Sequence, residues 1–282
     1  MKAVLEVKFA GGLGNQLFQY ATGRSLAHKN NVRYLVFNTD NYQNESLNRT
    51  FELGRLRVKG HHLRNRHFKN LFAANARLNR LAHASGLHKR IDENGFVSQC
   101  LQNKLGFLSS LYGYWQSETY FGDIRPELLE ELIPLRLPPY PAWLGNKNTV
   151  GIHVRRTDYL QDRRYGVLGK EYYVRAIEFI RAKVEHPFFV FFSDDMPWCR
   201  ATFSEDFLFF NEGPWAEDYL QLHLISKCRH QIIANSSFSW WAAWLNENES
   251  KIVVRPARPF REPSLLYENH YPASWAVVDN TP

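Results

Sequence analysis

Residues 149–159 read TVGIHVRRTDY, an apolar run that ends abruptly in two adjacent arginines. A continuous apolar stretch of this length, set among helical patterns, predicts a strand buried on both faces of a parallel sheet. Both flanks agree. Downstream, the apolar runs FFVFFS (188–193), FLFF (207–210), HQIIAN (230–235) and KIVVRP (251–256) alternate with helical spacing at about 170–184, 197–202, 216–227 and 237–246. Upstream, AVLEVKFA (3–10) leads into a glycine-rich turn at Gly11, Gly12 and Gly14. A helix from about Asn15 to Lys29 and the strand RYLVFN (33–38) complete a β-turn-α-β order. The fold class is therefore α/β, with two Rossmann-like parallel sheets. PLRLPPYPAWLGNKN (134–148) holds four of the chain's 13 prolines, a density that resists helix and central strand and reads as an interdomain connection. The expected domains are 1–140 and 141–282, with the first strand of the second beginning near Asn148.

Composition narrows the class. In 282 residues, 44% are hydrophobic and 15% aromatic, which supplies packed cores and excludes a disordered chain. The N-terminus enters a strand at once, without the pattern of a secretory signal. The longest apolar stretches fall short of the ~20 residues of a membrane span. Cys100, Cys199 and Cys228 are scattered and odd in number, so neither a disulfide framework nor a zinc site is implied. Reduced thiols in a cytoplasmic protein are expected.

The net charge of +7 is local. Residues 55–90 carry ten Lys or Arg and no Asp or Glu, and without those ten the chain would stand at −3. Leu71, Ala74, Leu78 and Leu81 recur at helical spacing there, with Arg77, Arg80, Lys89 and Arg90 mostly off that line. A solvated helix face is the simpler reading; peripheral contact with anionic lipid at the inner membrane, or with a phosphate-bearing acceptor, is the functional one. No nucleic-acid-binding motif accompanies the charge, so nucleic acid is not expected as a partner.

In an open parallel sheet, ligands bind beyond the carboxyl ends of the strands, and the chemically loaded residues fall at such ends. His153, Arg155 and Arg156 close the 149–156 strand, with Asp158 in the following loop. Ser193, Asp194 and Asp195 end FFVFFS; Asn235, Ser236 and Ser237 lie where HQIIAN meets a helix. A guanidinium stays charged and forks onto a carboxylate or oxyanion. An arginine beside a helix N-terminus makes a diphosphate cradle, joining bidentate bonds to exposed N–H groups and the helix dipole. Taken singly, each motif reads more simply as N-cap serines or a structural ion pair; three at neighbouring strand ends favour a ligand. Strand alternation sends Arg155 and Arg156 to opposite faces, so one is expected at the ligand while the other structures the loop by pairing with Asp158. His153 shares the face of Arg155.

Other chemistries find less support. GGLGNQ is not a dinucleotide fingerprint, because the third glycine of GxGxxG would fall at Leu17, although Asp40 after RYLVFN keeps an NAD-dependent oxidoreductase as an alternative. SDD is not a DxD metal motif, the histidines lack HExxH spacing, and neither GxSxG nor a Walker A sequence is present. Trp240, Trp241 and Trp244 sit at helical spacing and read as core.

Five stretches carry a resemblance: GGLGNQLFQYATGRSLA (11–27), GYWQSETYF (113–121), GIHVRRTDYL (151–160), FFVFFSDDMPWC (188–199) and IIANSSFSWWAAWL (232–245). In this order they resemble the α-1,2-fucosyltransferases of glycosyltransferase family 11, from about residue 8 to 256; the basic region near 55–100 and the last 25 or so residues match no motif. The resemblance implies a GT-B-type pair of Rossmann-like domains facing a crevice, with GDP-β-L-fucose as donor, no metal or other cofactor, and inversion to an α-1,2 linkage on a galactose-terminated, possibly lipid-linked, acceptor. Carried onto this chain, it implies that His153 and Arg155 meet the nucleotide and β-phosphate, with Arg156 and Asp158 in support. It implies Asn235, Ser236, Ser237 and Phe238 at the phosphates and nucleoside, and Asp194 and Asp218 on the guanine or ribose side. Gly14, Asn15 and Gln16 would close the crevice near the fucosyl group from an acceptor-binding N-terminal domain. Asp158 and His153 are the two candidates for a base toward the acceptor hydroxyl, with no choice between them. Transfer in another linkage such as α-1,6, and nucleotide-sugar binding without turnover, remain the alternatives.

Overall fold

The computed structural model describes residues 3–43, 49–62, 88–93, 105–204, 206–265 and 269–281. The chain divides into two compact units, Met1–Ile133 and Pro134–Pro282.

In the first unit, strands β1 (Val4–Lys8), β2 (Tyr34–Asn38), β3 (His61–His62), β4 (His88–Asp92) and β5 (Leu108–Tyr112) form one sheet in the order β3-β2-β1-β5-β4. Every pairing is parallel. Helix α1 (Leu13–Lys29) follows β1, starting two residues earlier than its apolar spacing suggested. Gly11 has φ +80°, the left-handed conformation that glycine adopts without steric cost, and this turns the chain from strand into helix. Gly23 lets α1 lie on the sheet: a β-carbon there would sit 2.5 Å from Val7. The short helix α2 (Arg125–Glu131) ends at a buried carboxylate. Glu131 accepts hydrogen bonds from the Tyr20 hydroxyl at 2.5 Å and from Arg24 at 2.6 and 2.8 Å, with Lys59 Nζ 3.2 Å away. α1, α2 and the segment after Leu53–Arg55 are thereby tied at one point.

The basic stretch differs from its expected helix where it is described. His88, Lys89 and Arg90 belong to β4, paired in register with Leu108, Ser109 and Ser110. Arg90 forks onto Asp92 and lies 3.8 Å over the Tyr112 ring, so its charge is engaged locally. Leu71, Ala74, Arg77, Leu78, Arg80 and Leu81 lie outside the described residues.

The proline-rich stretch packs with the second unit. Tyr140 stacks on Trp215 at 5.5 Å and its hydroxyl lies 2.9 Å from His223 Nε2, while Trp215 Nε1 donates to the Pro139 carbonyl. Proline excludes regular structure, but the aromatics between the prolines give the segment something to bury.

The second unit holds β6 (Thr149–Val154), α3 (Lys170–Arg181), β7 (Phe188–Ser193), α4 (Met196–Thr202), β8 (Leu208–Phe209), α5 (Asp218–Lys227), β9 (His230–Ile232), α6 (Ser237–Trp244), β10 (Val253–Pro256) and β11 (Ala276–Val278). The sheet is parallel in the order β11-β10-β9-β6-β7-β8. In chain order this is third-second-first-fourth-fifth-sixth, the doubly wound arrangement, with its reversal between β6 and β9. β6 is buried at all six positions, as its apolar run predicts. Trp240, Trp241 and Trp244 are buried and pack on one another, as core residues. β11 went unread in the sequence: AVV is too short to stand out.

Among the described residues, no helix is long and apolar enough to cross a membrane.

Candidate functional site

The reversal point of the second sheet gathers the residues that the strand ends foretell. His153, Arg155, Ser193, Asp194, Asp218 and Phe238 line a cavity of about 150 Å³ beyond the carboxyl ends of β6 and β7, with Asn211, Ala216 and Gln221 completing it.

The two arginines divide as alternation requires, but with partners other than expected. Arg155 is the one on the cavity, and it is also the one that pairs with Asp158: its Nε and Nη2 donate to the two carboxylate oxygens at 2.9 and 2.8 Å. Asp194 Oδ2 lies 3.3 Å from the same Nε. Burial works against the charged guanidinium, yet Asp158 and Asp194 outweigh it and hold the pKa above its ordinary value. With Nε and Nη2 engaged, Nη1 has no bond among the described residues and is left to meet a ligand. Arg156 does not line the cavity. Its Nε lies 3.1 Å from Asp195 and its guanidinium 3.9 Å over Trp198, which anchors the loop to the start of α4.

Asp194 clamps that loop by accepting from the Arg156 N–H at 2.9 Å, the Thr157 N–H at 3.2 Å and the Thr157 hydroxyl at 2.5 Å. It therefore faces the cavity as a positioned anion that holds Arg155. Asp195 caps α4 by accepting from Trp198 N–H.

His153 is buried, with the Phe238 ring 4.9 Å away and no hydrogen-bond partner at Nδ1. Burial, reinforced by the charge of Arg155, lowers its pKa to about 3. It is neutral near pH 7 and too weak a base to draw a proton from a sugar hydroxyl. Asp158, the other candidate, has both oxygens occupied by Arg155. Asp158 thus holds the arginine, while His153 lies buried against the Phe238 ring.

Asn235 is likewise an organiser. Its Nδ2 donates to the carbonyls of Tyr165, Gly166 and Pro259 at 3.1, 3.0 and 2.5 Å, leaving Oδ1 buried without a partner. Its own carbonyl accepts from Tyr159 Oη at 3.2 Å. Ser236 caps α6 by accepting from the Phe238 N–H, and Ser237 opens the helix. The first turn of α6, beside Arg155, offers backbone N–H groups and the positive end of the helix dipole to an anion.

Asn211 and Gln221 escaped the sequence reading. Gln221 had a signal, since it stands three residues after Asp218 on the same face of α5. Asn211 follows a two-residue strand and had none.

Gly14, Asn15 and Gln16 belong to the first unit. Gly14 is buried in the first turn of α1. Gln16 is wholly engaged: Nε2 donates to the Gly11 and Thr50 carbonyls, and Oε1 accepts from the Glu52 N–H. Asn15 accepts from Gln116 of the GYWQSE stretch at 2.8 Å. In this unit, Thr39, Tyr42, Arg49, Phe51 and His62 line a separate cavity of about 490 Å³.

Among the described residues, no group of three or more His, Cys, Asp or Glu is placed to hold a metal ion.

Comparison with known proteins joins these observations. The family model described as "Glycosyl transferase family 11" matches residues 7–279. An "Alpha-1,2-colitosyltransferase" of Escherichia coli is 28% identical over 98% of this chain and 99% of its own length. The "O-antigen biosynthesis glycosyltransferase WbnK" of Escherichia coli is 33% identical over 89% and 93%. "Galactoside alpha-(1,2)-fucosyltransferase 1" of Alouatta belzebul is 34% identical, over 54% of this chain and 47% of that protein. Among solved structures, NodZ α-1,6-fucosyltransferase soaked with GDP-fucose is similar with a TM-score of 0.52 at 12% identity, covering 87% of this chain and 93% of that one. At that identity the likeness is one of fold: the two parallel-sheet α/β units are of the GT-B type.

Proposed function

The chain belongs to glycosyltransferase family 11, and from that membership we propose that it transfers L-fucose from GDP-β-L-fucose to the 2-hydroxyl of a galactoside, with inversion to an α-1,2 linkage. The observation that carries the reading is Arg155, a permanently charged fork held by Asp158 and Asp194 with its remaining donors on a cavity at the reversal point of the sheet. The anion suited to it is the diphosphate of GDP.

In this reading one end of the nucleoside enters the cavity between Asp218, Gln221, Asn211 and Phe238, and the β-phosphate lies between Arg155 and the first turn of α6. As the bond from the anomeric carbon to the β-phosphate oxygen breaks, negative charge grows on the departing GDP. Fixed donors aimed at that charge stabilise the transition state more than the ground state. The acceptor oxygen attacks the opposite face of the sugar, which inverts the anomeric centre. Because neither His153 nor Asp158 is suited to remove the hydroxyl proton, the reaction depends on loosening the donor, and the proton passes late to water. Arg155 and the helix terminus supply the positive charge, so a metal is not required.

The N-terminal unit takes the galactoside, near Asn15 and Gln16. The product belongs to surface polysaccharide, made by a cytoplasmic enzyme on an acceptor that can be lipid-linked. The α-1,2-colitosyltransferase, similar over nearly its whole length, favours a second reading. In it the donor sugar is colitose, the 3-deoxy counterpart of fucose, and the site otherwise works identically.

The test is transfer of labelled sugar from GDP-fucose and from GDP-colitose to lactose and other β-galactosides, with EDTA present. Fucosylated product in an α-1,2 linkage is expected. Turnover with GDP-colitose alone would replace the donor, and failure to bind GDP would overturn the site itself.

A further inference from the structure

The second unit has another cavity, on the other flank of the proposed phosphate position. Loop 165–168, the segment following β10 and residues near the C-terminus enclose about 500 Å³, a volume typical of small-molecule sites. Its lining includes Tyr165, Leu168, Arg258, Phe260, Arg261 and Pro263.

Three observations distinguish it from a surface irregularity. First, its walls are tied to the proposed donor site by one residue: Asn235 donates to the carbonyls of Tyr165 and Gly166 on one wall and of Pro259 on the other. Second, the walls are fixed to each other. The Arg261 and Glu262 N–H groups donate to the Arg164 carbonyl, and Arg258 and Asn280 exchange two hydrogen bonds. Gly166, at φ +72°, lets Arg261 lie across it, since a β-carbon there would sit 3.0 Å from Arg261 Cγ. Third, among the described residues the lining contains two arginines and no carboxylate. Neither guanidinium forms an ion pair among the described residues. Asp279, which feels the charge of Arg258, is engaged first by Thr281 and then by Arg175.

The geometry has a direction. The nucleoside cavity extends from Arg155 toward β7, β8 and α5; the second cavity extends from Asn235 toward β10 and β11, both beyond the carboxyl ends of the strands. A diphosphate held between Arg155 and α6 would have its nucleoside on one side and the sugars on the other. Aromatic and proline side chains stack on sugar rings, and unpaired arginines fork onto anions.

We infer that this cavity binds the part of the acceptor beyond the galactose, and that Arg258 and Arg261 select an acceptor bearing a negative charge there. This rests on the proposed transfer reaction. The charge is a phosphate or a carboxylate, and the two are separated by the choice of acceptor.

The test compares lactose with lactose 1-phosphate and lactobionate, in wild type, Arg258→Ala, Arg261→Ala and the double variant. Ligand binding is measured by calorimetry in the presence of GDP, and transfer by kcat/KM. The wild type is expected to bind one anionic ligand about tenfold more tightly than lactose, the yield of one good charge-assisted hydrogen bond. The double variant should lose that preference while keeping its lactose kcat/KM and GDP affinity within about twofold, a span worth under ~0.5 kcal/mol. Preference for lactose 1-phosphate identifies a phosphate, and preference for lactobionate a carboxylate. Equal wild-type affinity for all three ligands would overturn the inference, as would equal losses on lactose and the anionic ligands in the double variant. A wild type that fails to bind GDP or to transfer fucose would instead count against the reaction, since selective anion binding is read without turnover.

Discussion

The two sheets reverse their chain order at comparable points, yet they furnish those points with opposite chemistry. In the first unit the loop after β1 is held by neutral amides. Gln19 accepts from the Ala10 N–H and donates to the Gly113 carbonyl, and Gln16 has three partners. In the second unit the corresponding edge is held by charges, and its central member keeps donors unused: Arg155 has Nη1 left after Asp158 and Asp194 are served. A neutral amide network fixes a backbone. A partly saturated ionic one leaves free energy available for a charged ligand.

The sharpest test of this contrast lies within the charged edge, between adjacent arginines. Arg155→Ala is expected to lower kcat/KM by about 10²–10³-fold, the usual loss when a donor aimed at developing charge is removed. Arg156→Ala, which removes the contacts with Asp195 and Trp198, should lower it by less than about tenfold and act mainly on stability. Steady-state kinetics with denaturation midpoints decide the matter, and equal kinetic losses in the two variants would abolish the division of labour.

Next in size is the buried carboxylate of the first unit. Glu131→Gln leaves Arg24 and Lys59 without their anion and weakens the bond from Tyr20. Breaking such a cluster typically costs about 3 kcal/mol. Urea unfolding should record a loss of that order, with the affinity for GDP unchanged if the variant is assayed well below its midpoint. A large fall in GDP affinity would show that the amide-rich unit does more than fold.

Residue type, position and the alternation of faces were legible in the sequence; partnership was not. The run TVGIHV disclosed a central strand because burial on both faces demands continuous apolar residues, and strand ends disclosed the site because parallel sheets bind ligands there. What HVRRTDY and NSSF could not disclose is how each polar atom is spent. Asn235 looked like a phosphate ligand, but its amide holds two loops together. Asp158 looked like a base, but both oxygens serve Arg155. The role of Asn235 depends on loops brought together from 24 to 76 residues away, which no local spacing encodes; Asp158 pairs locally, three residues after Arg155, and the sequence left open only which arginine takes it. Asn211 was hidden for the same reason, and Gln221 only because one polar residue on a helix carries little weight.

The smallest expected effect concerns protons. Burial, with the charge of Arg155 adding to it, lowers the His153 pKa from 6.5 to about 3, and burial followed by the charge of Lys227 lowers His223 to about 4. Between those values and 6.5 the unfolded chain binds protons that the folded chain does not, so stability rises with pH across that window. Acidification from about pH 6.5 to 5 should therefore cost about 1.5 kcal/mol for each histidine. His153→Gln should remove about half of the pH dependence that these two groups generate, as read from urea midpoints at several pH values in this range. Most carboxylates stay ionised there, which keeps the histidine contribution separable. An unchanged slope in His153→Gln would mean that this imidazole can take up a proton in the folded state, and would return it to consideration as a base beside Arg155.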